Sequence, residues 1–197
     1  MPSRRHLICA LPAAWLTLVF RPASAQTAAL TTALRRPDTV LMLRHARAPG
    51  VGDPGNFKAG DCATQRNLDA QGRSQAKLLG QRLKAAGFRP TLVASSAWCR
   101  CQDTARLMDL GPVRTEPLLN SFFNTDRATK DAQTDKLSRY IDGLDPRGGP
   151  YLLVTHQVVI TALTGLGAES AGGALIELPA RGGTRRVTEF PALESGG

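Results

Sequence analysis

The sequence runs to 197 residues with 25 basic and 16 acidic side chains, a formal charge of +9. That length supports one domain with a single sizeable core, and the positive balance suits an anionic partner or an anionic envelope surface. Aromatic residues make up only 5% of the chain, and no basic run has aromatics set between its charges, which argues against a nucleic-acid-binding module.

The N-terminus reads as an export segment. Ser3-Arg4-Arg5 is followed by a mostly apolar stretch from Leu7 to Phe20 and then by Ala23-Ser24-Ala25. This charged, apolar, small-residue order is that of a secretory signal peptide over residues 1–25, and the paired arginines resemble a twin-arginine signal. The apolar run is short for a membrane span and contains Pro12, so a retained anchor is disfavoured. Cleavage after Ala25 leaves residues 26–197 as one periplasmic or secreted domain with 22 basic against 16 acidic side chains, a charge of +6. In an oxidising compartment one disulfide is expected, from Cys62 to Cys99 or to Cys101, with one thiol left over. The cysteine spacing fits no common zinc pattern, and neither a metal nor a cofactor is expected.

Residues 26–38 read as a polar lead-in closed by Arg36-Pro37-Asp38. Thr39 to Leu43 is a continuous apolar or β-branched run, the mark of a strand buried on both faces. The loop over 46–68 is long and rich in Pro and Gly, and loops of that length in a compact domain are usually functional. Asp69 is placed to cap a helix over 70–86, with Ala76, Leu79 and Leu83 on one face and Gly87 as its stop. Thr91 to Ser95 reads as a second strand, followed by a helix over 100–109 stopped by Gly111 and by a weak strand from Val113 to Glu116. An irregular stretch, 117–130, leads to a helix over 131–142, a strong strand over 151–155 and an apolar helix from Val158 to Leu166. Two closing strands, Ala174 to Leu178 and Arg186 to Phe190, are joined across Arg181-Gly182-Gly183. This alternation predicts a three-layer α/β/α sandwich around a mostly parallel central sheet.

Open α/β sheets bind ligands beyond the carboxyl ends of their strands. The first strand runs into Arg44-His45 and the strand over 151–155 runs into His156. Alone, Arg44 is a solvated strand end and His45 an ordinary loop histidine. Two buried strands that each deliver a histidine to the same sheet edge point instead to a site.

Four segments in order carry a resemblance: Leu43-Arg44-His45-Ala46; Leu68 to Ala76; Ser95-Ser96-Ala97-Trp98-Cys99-Arg100 continuing to Ala105; and Val154-Thr155-His156. In order and spacing, over residues 39–178, the chain resembles the histidine phosphatase (phosphoglycerate mutase-like) superfamily. Within it the chain looks like an exported branch that includes proteins similar to lipopolysaccharide heptose-phosphate phosphatases. The resemblance implies that His45 attacks phosphorus and becomes a phosphohistidine, that Arg44 and Arg100 clamp the phosphate, and that His156 stabilises charge in the transition state. Chemistry agrees with these residue types. A phosphomonoester carries about two negative charges near neutral pH, which guanidinium forks match. Cations beside His45 keep it neutral, as a nucleophile must be, and a backbone carbonyl on one ring nitrogen fixes its tautomer.

Ala46 stands where the family commonly has glycine. Asn120 stands where many mutase-like members have a glutamate acid, and an amide cannot protonate a leaving alkoxide. Asp126 is therefore the candidate general acid, with Glu116 a weaker one. Gln157 follows His156 where the superfamily's acid phosphatases carry an aspartate. Arg47, Asn120 and Gln157 are candidate substrate-binding residues. The resulting expectation is an exported phosphomonoesterase acting on a phosphorylated small molecule or envelope phospho-sugar, its oligomeric state open. A catalytically weak phosphate-sugar binding protein of the same fold is the alternative, and a mutase a more distant one.

Overall fold

The computed structural model describes residues 23–179 and 183–192. The apolar runs form one sheet from β1 (Thr39–Arg44), β2 (Leu92–Ser95), β3 (Val113–Thr115), β4 (Tyr151–Thr155), β5 (Gly173–Glu177) and β6 (Arg186–Phe190). Their order is β3-β2-β4-β1-β5-β6. The first four in that order run parallel, β5 is antiparallel to β1, and β6 is antiparallel to β5. The α/β sandwich is thus the expected one, with a mixed but mostly parallel sheet.

Both faces of the sheet are covered, which is why β1 and β4 are apolar at nearly every position. Leu41 and Leu43 of β1 pack into the core that holds Leu79, Leu83 and Met108, from helices α2 (Ala70–Ala85) and α3 (Cys99–Met108). Val40 and Met42 pack on the opposite side against Leu137, Ile141, Val159 and Ile160, from α4 (Arg127–Asp142) and α5 (Gln157–Thr164). The alternation follows from the two-residue period of a strand. Each fully buried leucine contributes roughly 1.5–3 kcal/mol, so these layers hold β1 firmly. Helices α2 and α3 meet closely at Gly80, where any Cβ would overlap the carbonyl of Met108.

Residues 26–38 are not a polar lead-in throughout. An alanine-rich helix, α1 (Ala23–Leu34), forms there, buries Leu34 and packs Leu30 on the α2–α3 side of the sheet. It opens at Ala23, ahead of the expected cleavage point after Ala25, and the rest of the expected export segment lies outside the described residues. Helix α4 starts four residues earlier than expected because Asp126 caps it. The Asp126 carboxylate accepts from the Thr129 amide at 2.9 Å and the Thr129 hydroxyl at 2.8 Å. Helix α3 stops at Asp109, which takes the left-handed conformation at φ 53°, rather than at Gly111. Arg181 and Gly182 of the expected β5–β6 turn lie outside the described residues. The disulfide joins Cys62 to Cys99, and Cys101 is free and buried. Among the described residues no helix is long and apolar enough to cross a membrane.

Candidate active site

The register of β1, β2 and β4 sets the site. Arg44 pairs with Thr155 and Ser95 with Val154, so the three strands end level with one another. The ladder runs one residue further: the His45 amide donates to the Thr155 carbonyl at 3.0 Å and the Ser96 amide to the Val154 carbonyl at 2.9 Å. This brings the two imidazoles edge to face, 5.5 Å between ring centres. Helices α3 and α5 both begin at this edge, with Arg100 in the first turn of one and His156 as the N-cap of the other. Their partial positive ends favour an anion there.

The hydrogen bonds define the protonation pattern of His45. Its Nδ1 lies 2.8 Å from the Ala46 carbonyl, which can only accept, so Nδ1 carries the proton. Its Nε2 is unprotonated, and its single lone pair accepts from Arg100 Nε at 3.2 Å. The Ala46 amide donates to the Thr104 hydroxyl at 2.9 Å, and that hydroxyl donates to the Arg100 carbonyl at 2.7 Å, tying the two catalytic candidates together. Burial first, then the charges of Arg100, Arg44 and Arg66, push the His45 pKa down to about 3 against a favourable bond to Ala46. His156 is likewise driven well below its usual range by burial, then by His45 and the arginines.

His156 is braced by a relay. Arg100 Nη2 approaches its Nδ1 at 3.4 Å, and its Nε2 donates to Ser96 Oγ at 2.9 Å. Ser96 Oγ donates in turn to Asn120 Oδ1 at 3.2 Å, which also accepts from the Ala97 amide at 2.9 Å. Asn120 is therefore occupied in holding the end of β2 and is not part of the cleft lining. The buried Cys101 thiol donates to the Thr155 carbonyl at 3.4 Å, and burial pushes its pKa up to about 12.

A cleft of about 440 Å³ opens over these groups. Of the residues singled out in the sequence, Arg44, His45, Arg100, His156 and Gln157 line it. Arg44 donates to the Ala168 carbonyl at 2.9 Å, and its buried Nε has no hydrogen-bond partner among the described residues. Arg47 faces elsewhere, paired with Asp69 at 3.0 Å and bonded to Gln71. Asp126 is also outside the lining. It is exposed, and its bonds to the Thr129 amide and hydroxyl lower its pKa, so it is a helix cap and a poor proton donor. Glu116 caps the short turn Pro117–Leu119.

Two lining residues had no signal in the sequence. Arg66 comes from the 46–68 loop and donates to the Gly52 carbonyl at 2.8 Å and to the Ala48 carbonyl. Asp53 comes from the same loop and takes both terminal nitrogens of Arg100, at 2.6 and 3.1 Å. It also accepts from Trp98 Nε1 at 2.9 Å. The Trp98 ring stacks on Phe57 with centres 5.0 Å apart, which makes one wall of the cleft. The Cys62–Cys99 bond anchors the loop to the residue before Arg100.

Residues 40–123 match the family model of the histidine phosphatase superfamily (branch 1). The matched segment holds Arg44, His45 and Arg100, and over it the chain is similar to this superfamily. Its fold is similar to that of a phosphoserine phosphatase from Entamoeba histolytica in complex with 3-phosphoglyceric acid, with a TM-score of 0.59, 14% identity, and 79% of this chain and 98% of that one covered. The protein histidine phosphatase SixA complexed with tungstate gives a TM-score of 0.57 at 17% identity, covering 78% of this chain and 97% of that one. A mycobacterial glucosyl-3-phosphoglycerate phosphatase complexed with VO3 gives 0.56 at 18% identity, covering 79% and 100%. No curated protein matches the chain by sequence.

Proposed function

We propose that this protein is an exported phosphomonoesterase that works through a phosphohistidine on His45. The observation that carries the reading is the state of His45: Nδ1 is committed to Ala46, and the Nε2 lone pair lies in a cleft lined by Arg44, Arg66, Arg100 and His156. In the first step a bond forms from Nε2 to phosphorus as the bond from phosphorus to the leaving oxygen breaks. In the second, water attacks phosphorus and the nitrogen–phosphorus bond breaks, which returns neutral His45 and inorganic phosphate. Arginines aimed at the equatorial oxygens stabilise the developing charge, and each such preorganised contact is worth about 3–4 kcal/mol.

The named activities of the similar structures cover phosphohistidine, phosphoserine and a glucosyl phosphoglycerate, so a shared fold accommodates phosphoramidates as well as esters. For this chain, the basic balance and the export-like N-terminus favour a phosphorylated small molecule or an envelope phospho-sugar, met in the periplasm or outside the cell. Rapid quenching with a radiolabelled aryl phosphate tests the chemistry. The expected product is an acid-labile, base-stable label on His45 that is absent in His45→Ala. Fractionating cells that express the full chain, or the Arg4→Lys/Arg5→Lys form, tests export. Asn120 and Asp126, the expected acid positions, do not line the cleft, which favours the weak phosphate-sugar binder as a second reading. Steady release of phosphate from an aryl ester excludes that reading.

A further inference from the structure

We infer that Asp53 is the proton donor to the leaving group, released for that task when substrate phosphate displaces it from Arg100. The inference rests on the phosphohistidine reading above.

Three observations support it. The Asp53 carboxylate fills the guanidinium fork of Arg100, so a phosphate that uses this fork must take its place. The carboxylate lines the same cleft as His45 and His156 and is one guanidinium away from the attacking nitrogen. It is only 15% exposed, whereas Asp126 is an exposed cap and Glu116 closes a turn. No other carboxylate lines the cleft among the described residues.

The electrostatics work in sequence. In the free protein burial raises the Asp53 pKa, but bonds from Arg100 and Trp98 and the charge of Arg100 outweigh it, and the group is held ionised. When phosphate occupies the fork, Asp53 loses a cation and gains an anionic neighbour. Both changes raise its proton affinity. A phosphomonoester monoanion, whose second proton leaves near pH 6, can bring that proton into the cleft. As Nε2 bonds to phosphorus and the ester bond breaks, the leaving oxygen takes the proton from the Asp53 carboxyl and departs as the alcohol. Water attack on phospho-His45 then releases a proton that returns to the carboxylate.

The test follows the first turnover with enzyme in excess, using one alkyl and one aryl phosphate, with wild type, Asp53→Asn and Asp53→Glu. The expected result is a fall of about a hundredfold or more in alkyl ester cleavage for Asp53→Asn, against less than about tenfold for the aryl ester, whose leaving group needs little protonation. Inorganic phosphate should inhibit Asp53→Asn at lower concentration than wild type, because the competing carboxylate is gone. Asp53→Glu should recover part of the alkyl rate. An equal loss for both esters, together with weaker phosphate inhibition, overturns the inference and leaves Asp53 as a prop for Arg100. If wild type forms no label on His45 with either ester, the phosphohistidine reading itself fails and takes this inference with it.

Discussion

Arg100 donates to Nε2 of His45 at 3.2 Å, so one guanidinium orients the imidazole that we propose as the nucleophile and lines the cleft in front of it. Arg100→Ala should therefore lower kcat/KM by a factor of about a hundred or more, equivalent to about 3 kcal/mol of transition-state stabilisation. Arg100→Lys should restore only part of it, because a single ammonium cannot face both His45 and the phosphate fork. Steady-state kinetics on an aryl phosphate measures both.

The depressed His45 pKa has a consequence for stability. Between pH 6.5, the ordinary histidine value, and about 3, the unfolded chain binds a proton on this residue that the folded chain refuses. Stability is therefore full above pH 6.5 and falls with pH through that window, by about 1.4 kcal/mol per pH unit while the slope is saturated. His156 adds to the loss in the same direction. Urea unfolding at a series of pH values should show this slope, and His45→Asn, whose amide can replace the bond to Ala46, should flatten it.

The Cys62–Cys99 bond closes a loop across a sequence separation of 37 residues. In the chain-entropy account such a closure is worth about 4 kcal/mol. Cys62→Ser/Cys99→Ser should lose a large part of this in denaturant melts. It should also slow turnover of alkyl phosphates, since the tethered loop supplies Asp53 and Arg66 to the cleft. Of the three cysteines Cys62, Cys99 and Cys101, the oxidised and denatured chain should show one free thiol.

Asp126→Ala should lower the thermal midpoint by removing the cap of α4, with the ratio of alkyl to aryl turnover unchanged. A collapse of that ratio would return Asp126 to the chemistry.

Gly80→Ala should force α2 and α3 apart against the Met108 carbonyl. Overpacking of this kind costs roughly 1–3 kcal/mol. The loss should appear in equilibrium unfolding, along with a weaker effect on turnover through the displacement of α3 and Arg100.

Much of the fold was legible because continuous apolar runs such as Tyr151 to Thr155 have few alternatives to a doubly covered strand. His45, Arg44, Arg100 and His156 were legible because each sits at a strand end or helix start, where local pattern and position coincide. Asp53 and Arg66 were not. Their roles depend on where a loop without periodicity folds back, and Asp53 meets an arginine 47 positions away. Asp126 misled because an acid at a helix cap and an acid in a cleft look alike in sequence. The alanine-rich α1 was missed for a related reason: its helical face shows only when Leu30 and Leu34 find the sheet.

The strand that leads into His45 lies at the middle of the sheet, between β4 and β5, although it is the first strand among the described residues. Its neighbours arrive only with residues 151–155 and 173–177. A ribosome-bound or prematurely ended chain that stops before Gly173 leaves β1 with an unpaired edge of apolar residues, open to pairing with another chain. Such distant pairings also slow folding. The cleft therefore comes into being only after Glu177 has been made, and shorter copies are exposed to aggregation rather than left with a partial site.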